Sequence, residues 1–248
     1  MRSEGDVYHV VARGTGRQLI FEDESDRRLF LSLLGKGLSD YDAVLYAWCL
    51  MGNHVHLLIR VPIERLSQLM KMVLGTYARR FNEKTARVGH LFQSRYGSEP
   101  ITDDEYLLTV IRYIHENPRK AGLASIEAYP WSSYGEYIGS AWLCDTDFPL
   151  SVFGGVDAFR RFHGQPHDEP NCLDADKGEA SALVRKVADE CIIATARDVL
   201  GEVNAQDLKT LPIQQRNACL RMLKEAGLSV RQIERLTGIG RNIVQRVK

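Results

Sequence analysis

Apolar and polar positions alternate with different periods along this chain. Residues 7–13, VYHVVAR, form a short apolar run that predicts a strand. The next segment, FEDESDRRLFLSLLGKGL, places Leu29, Phe30, Leu33 and Leu34 at helical spacing, with Asp23 or Ser25 as N-cap and glycines closing it. AVLYAWCLM and HVHLLIRV are β-rich runs on either side of Gly52-Asn53, the pattern of a hairpin. A longer helix is predicted over 64–85, where Leu66, Leu69, Met70, Val73, Tyr77 and Phe81 make one stripe, and Lys71, Arg79, Arg80 and Lys84 mostly fall off it. HLFQSRYGSEPI predicts a further strand. TDDEYLLTVIRYIHENP predicts a helix capped by Thr102 or Asp103 and stopped by Pro118.

Beyond YPWSSYGEYIG, residues 164–178 are poor in apolar side chains and rich in turn formers, which predicts a linker, and the remainder is helical. The expected architecture is α+β, an antiparallel sheet with flanking helices, followed by an all-α C-terminal domain. The expected boundaries are 1–145 for the first domain, 146–180 for a helical extension and acidic linker, and 181–248 for the helical domain.

Composition adds exclusions. At 248 residues, 44% apolar and 26% charged, the chain has an ordinary globular make-up. It holds no apolar run of the roughly 18 residues a membrane span requires. The opening MRSEGDVYHV lacks the apolar core of a signal peptide. Five scattered cysteines show no zinc-ribbon or CxxC spacing, so a reduced, cytoplasmic setting is expected. The zero net charge is unevenly spread: residues 1–145 carry −1, 146–207 carry −6 and 208–248 carry +7. Residues 60–95 hold 8 basic and 2 acidic side chains. Two basic regions flanking an acidic one suit a polyanion, although each alone is also what a solvated helix face looks like.

The chemistry concentrates in MGNHVHLLIRV, residues 51–61. In a strand His54 and His56 share one face, about 7 Å apart along the chain, while Val55, with Leu57 and Ile59, turns to the other, toward the core. Such a pair fits one metal ion or a hydrogen-bonded couple that binds nothing. Spacing excludes several alternatives: Leu58 stands where a histidine-triad hydrolase needs a third histidine, no second HxT copy is present, and HExxH is absent. On the helix ending near Pro118, Tyr113 and Asn117 lie one turn apart on one face, and Tyr106 and Val110 continue it. Tyr113 is a candidate nucleophile, Asn117 a candidate oxygen ligand, and His115 a candidate base pointing elsewhere.

Together these segments resemble the HUH single-tyrosine transposases, IS200-like, and within them the REP-associated tyrosine transposases. The resemblance spans roughly residues 7–139, with YHVVARG, MGNHVHLLI, GHLFQSRY, YLLTVIRYIHENPRKAGL and YPWSSYGEYIG in order. It implies cleavage and rejoining of single-stranded DNA at hairpin-forming repeats through a 5′-phosphotyrosine. It further implies Tyr113 as nucleophile and His54, His56 and Asn117 as ligands of Mg²⁺ or Mn²⁺. Two positions depart from the pattern: Gly52 replaces a common proline, and Gly97 replaces a usual lysine, which removes a phosphate contact.

Arg79, Arg80, Arg95, Arg119 and Lys120 are expected to contact DNA, and Tyr77, Tyr96, Tyr129, Trp131 and Tyr134 either stack unpaired bases or pack in the core. GLSVRQIERLTGIGRNIVQRVK reads as a helix-turn-helix with Arg241, Asn242, Gln245 and Arg246 on its second helix, for the duplex stem of a hairpin. Glu234, where a small residue is usual, and the short last helix count against that reading, and a bundle for oligomerisation is its rival. The expected partners are single-stranded DNA hairpins and the duplex stem, with a second copy in a homodimer as an open alternative, in a nucleoid-associated protein without membrane contact. The rivals to a transposase are a DNA-binding regulator with a silent catalytic fold and a metal phosphodiesterase that uses water.

Overall fold

The computed structural model describes residues 6–166, 172–173, 192–201 and 203–247, in two units divided at Lys177/Gly178. In the first unit β1 (Val7–Arg13), β2 (Val44–Leu50), β3 (His54–Arg60) and β4 (Gly97–Pro100) form an antiparallel sheet in the order β2-β3-β1-β4. The helices of this unit are α1 (Glu24–Asp40), α2 (Ile63–Thr85), α3 (Asp104–Lys120), α4 (Tyr134–Ile138), α5 (Asp147–Phe153) and α6 (Val156–Gly164). The strand pleat sorts the side chains into two cores. Val10 and Ala12 of β1 and Val55, Leu57 and Ile59 of β3 pack on α1 and α2 through Phe30, Leu34, Leu69, Val73 and Tyr77. The opposite face, with Val7 and Leu58, packs on α3 through Leu107, Val110, Ile111 and Ile114. A register shift between Leu45 and Ala47 marks a bulge in β2.

Helix ends follow the chemistry of their caps. Asp23 and Asp26 form a capping box at α1, and Lys84 bonds both carboxylates at 2.7 Å. Asp103 caps α3 by accepting from the Tyr106 N–H. Pro118 does not stop α3, as its position in the sequence predicts; it sits inside the last turn, and the helix runs to Lys120. The stop is Gly122, at φ +71°, where Gly122 N–H bonds Arg119 O and Leu123 N–H bonds Pro118 O. This is a Schellman-type end that a glycine's left-handed backbone permits. The predicted strand in HLFQSRYGSEPI is short: Phe92 makes one isolated bridge to Gly14, and regular pairing begins only at Gly97.

The segment YPWSSYGEY guards an edge. β2 ends the sheet on one side, and an open strand edge is a pairing hazard. Leu50 N–H bonds Trp131 O, Ser133 N–H bonds Trp48 O, and Trp48 N–H bonds Ser133 Oγ. Tyr129 and Tyr137 hydroxyls donate to Leu50 O and Tyr46 O. Glu136 Oε1 accepts from the Trp48 indole at 2.8 Å, and its Oε2 accepts from the backbone of Trp142, Leu143 and Cys144, each at 2.9 Å. The predicted linker is described only in part: Cys172 is buried in the α3-side core and Leu173 N–H bonds Glu99, whereas 167–171 and 174–178 lie outside the described residues.

The second unit, among its described residues, contains α7 (Ile192–Leu200), a 3-10 turn (Ala205–Lys209), α8 (Ile213–Glu225), α9 (Val230–Thr237) and α10 (Arg241–Arg246). Leu208, Leu220, Leu223, Ile233 and Val244 are buried in it. Ser229 and Gln232 form a capping box at α9, and Gly238, at φ +63°, turns the chain toward α10. No helix among the described residues is long and apolar enough to cross a membrane.

Candidate active site

The site lies on the α3 side of the sheet. β3 and β1 are its two central strands, and their register opposes His56 to Val11 and Leu58 to His9. His54 and His56 are both buried and face α3, with ring centroids 4.9 Å apart. His9, absent from the residues singled out in the sequence, completes a histidine cluster: its Nε2 lies 3.1 Å from His56 Nδ1, with the rings stacked at 5.3 Å. Tyr113 of α3, 4% exposed, stands edge-on to both, at 5.6 Å from the His56 ring and 5.9 Å from the His9 ring. Lys120, two turns further along α3, sets its ammonium 4.8 Å from the Tyr113 ring centre.

Burial keeps His9 and His56 neutral. Burial pushes His9 down to about 3. His56 is held well below the ordinary histidine range, first by burial and then by neighbouring His54, His9, Arg13 and Lys120. Neutral imidazole is the form that binds metal. His54 Nδ1 lies 2.5 Å from Asn53 Oδ1, and His56 Nε2 is buried with no hydrogen-bond partner among the described residues. An orphaned ring nitrogen beside a second imidazole, in surroundings made positive by Arg13 and Lys120, fits a cation that brings anionic oxygens with it. Among the described residues no group of three or more His, Cys, Asp or Glu side chains is arranged to hold a metal. A protein-only cage is therefore not built here.

The other residues singled out in the sequence fall in several places. Asn117 lies one turn beyond Tyr113, half-buried, and its Nδ2 donates to Tyr113 O at 2.9 Å, so its Oδ1 is the end left for a ligand. Arg119 is exposed and bonds the buried Glu116 carboxylate at 2.9 Å. Arg95 is exposed just before β4. Arg79 and Arg80 are exposed on α2, on the opposite face of the sheet from the histidines, and Arg79 with Lys71 lines a shallow groove beside Tyr41 and Gln68. Arg241, Asn242 and Gln245 are exposed on α10, and Arg241 pairs with Glu234 at 2.7 Å. Glu234 thus points outward, which is how the turn accommodates its size.

Several alternatives close. Tyr77 is fully buried and its hydroxyl donates to Ile20 O, and Tyr134 is buried too, so neither stacks bases. His115 is enclosed, its ring bonded to His163 at 3.1 Å and Ser133 at 2.9 Å, and it is no base for Tyr113. At Gly97, paired with Val11, a Cβ would stand 3.4 Å from Leu173, which takes up the space beside the position where a lysine is usual. His9 had one legible signal: alternation in VYHVVAR puts it on a face with Val7 and Val11. Which strand that face adjoins is not written locally.

The site thus has paired histidines on a central strand and a tyrosine on the helix across from them. Residues 4–117 match the family model for IS200-like transposases. Among solved structures the chain is similar to a REP-associated tyrosine transposase bound to a REP hairpin, at 15% identity over 74% of this chain and 96% of that one, with a TM-score of 0.47. No curated protein matches it.

Proposed function

We propose that this chain is a metal-dependent single-strand DNA endonuclease and strand transferase of the REP-associated type, working at hairpin-forming repeats. One observation carries the reading: the two strand histidines and Tyr113 meet at ring distances of 4.9 and 5.6 Å, within a segment that matches the IS200-like transposase family model. Tyr113 Oη attacks a phosphodiester, the new Oη–P bond forms as the bond to the 3′ oxygen breaks, and the strand is left with a 5′-phosphotyrosine and a free 3′-hydroxyl. The phenol proton passes to solvent and the departing 3′ oxygen takes one up. A 3′-hydroxyl from a second strand end reverses the step and rejoins DNA.

His54 and His56 would hold Mg²⁺ or Mn²⁺ with the Asn117 carbonyl oxygen, the remaining donors being phosphate and water oxygens. When bound, that cation neutralises charge on the scissile phosphate and polarises it for in-line attack. The chain's own contribution is orientation and charge. α3 presents Tyr113 edge-on to the histidines, Lys120 packs over its ring, and Arg13 and Lys120 add positive charge for an incoming phosphate. The +7 charge of residues 208–248 and the exposed Arg241, Asn242 and Gln245 suit the second unit to a duplex stem.

A denaturing gel tests the reading. Wild type and Tyr113→Phe are mixed with labelled hairpin-bearing single strands, drawn from any inverted repeats found beside the gene, with Mg²⁺, Mn²⁺ or EDTA. A covalent adduct that needs both the metal and Tyr113 is expected. Equal cleavage by both proteins without an adduct would mean a water-using phosphodiesterase, and tight hairpin binding without cleavage would mean a regulator.

A further inference from the structure

His54 and His56 account for the metal-binding pair, but nothing in that pairing explains the third buried imidazole beside them. His9 and His56 are both fully buried, stacked at an interplanar angle of 25°, and joined by a single hydrogen bond of 3.1 Å between His9 Nε2 and His56 Nδ1. The two outer nitrogens, His9 Nδ1 and His56 Nε2, are buried with no partner among the described residues. A neutral imidazole carries one proton, so one ring donates in the shared bond and the other accepts.

The two arrangements differ in what they offer a cation. If His9 donates, His56 keeps its proton on Nε2, and that nitrogen has no lone pair to give. If His56 donates from Nδ1, its Nε2 is a bare lone pair and His9 holds its own proton on Nδ1. Each arrangement buries one unpaired N–H and one unpaired acceptor, so the pair by itself has no reason to prefer either. A cation at His56 Nε2 selects the second. Without an acceptor at the His9 position that selection would leave the His56 Nδ1–H buried and unpaired, a state that opposes metal binding.

We infer that His9 is a positioning residue for the metal site: its Nε2 accepts the Nδ1–H of His56 and so holds His56 in the tautomer and ring orientation that presents Nε2 as a ligand. The inference rests on the metal-dependent reading above. It assigns β1 a direct part in the site. Acceptors of this kind behind metal-bound histidines fix the tautomer and raise ligand basicity, and their loss weakens metal binding about 10–100-fold.

The test is a Mn²⁺ titration of the full-length protein, following free Mn²⁺ by electron paramagnetic resonance, with wild type, His54→Ala, His9→Phe and His9→Gln. Circular dichroism and thermal melting without metal establish that each variant is folded. His9→Phe keeps the ring's bulk and removes the acceptor, so its Mn²⁺ dissociation constant should rise about 10–100-fold. His9→Gln returns an acceptor oxygen near the Nε2 position and should restore most of the loss. Weakening by His54→Ala with none by His9→Phe would overturn this inference alone. A His9→Gln protein as weak as His9→Phe would also overturn it. Wild type that binds no Mn²⁺ would sink the metal-dependent reading itself. A second readout needs no variant: long-range proton–nitrogen correlation on the Mg²⁺-loaded wild type should show His56 protonated at Nδ1, and protonation at Nε2 would refute the proposal.

Discussion

Replacing Glu136 by alanine should destabilise the first unit more than any other single polar change on the β2 edge. The side chain is buried and its two oxygens accept four hydrogen bonds, one from the Trp48 indole and three from consecutive backbone N–H groups at 142–144. Alanine supplies none of these acceptors. The Trp48 and Cys144 donors are buried and would each cost about 1–3 kcal/mol unpaired. Trp142 is well exposed, so water can take over part of the loss there. The sum is about 3–6 kcal/mol, a large share of the ~5–15 kcal/mol that a domain has. In a unit of this size that corresponds to a fall of about 10–20 °C in Tm. Glu136→Gln turns one oxygen into a donor facing either the indole or the backbone trio, and should cost roughly half as much. Tryptophan fluorescence is the right probe, because Trp48, Trp131 and Trp142 are the chain's three tryptophans and all belong to this edge. The exposed Glu83→Ala serves as a control that should stay within about 0.5 kcal/mol. A Glu136→Ala protein that melts within about 2 °C of wild type would refute the claim that this segment is bonded to β2 as described.

Other consequences follow from the same contacts. His9, His56 and His115 have pKa values depressed by burial, so the folded chain keeps them neutral while the unfolded chain protonates them below about 6.5. Their contribution is complete above pH 6.5 and is lost as the pH falls below it, at about 1.4 kcal/mol per pH unit for each. Urea midpoints should therefore drop steeply between pH 6.5 and 5, and a flat profile over that range would contradict the burial of these rings. Asp23→Ala removes the α1 cap and one of the two carboxylates that Lys84 bonds, and a loss of about 1–2 kcal/mol in chemical denaturation is expected.

Much of this architecture can be read from the chain, and the exceptions share a cause. The hairpin about Gly52-Asn53, the two-faced strand at 54–60 and the stripe of α2 follow from local periodicity, because each is a property of one element. Pro118 misleads because a proline in the last turn forfeits one N–H bond to the turn before it without ending the helix, which runs on to Lys120 and closes at Gly122. The role of His9 depends on β1 lying beside β3, and that of Glu136 on a segment 88 residues beyond Trp48 in sequence. Local pattern says which side chains share a face; it does not say which faces meet. Arg79 and Arg80 show the same limit, since their basic stripe is plain in the sequence while its separation from the histidines by the thickness of the sheet is not.

The central claim is that Tyr113 becomes bonded to DNA, and peptide mapping of the cleaved product tests it most directly. Trypsin cuts after Arg112, Arg119 and Arg95, so Tyr113 falls in the peptide 113–119 while Tyr96 and Tyr106 fall together in 96–112. After reaction with a hairpin-bearing strand and nuclease trimming, mass spectrometry should find the nucleotide on 113–119, at Tyr113, only when Mg²⁺ or Mn²⁺ is present. A nucleotide on 96–112, or cleaved DNA with both peptides unmodified, would contradict the account.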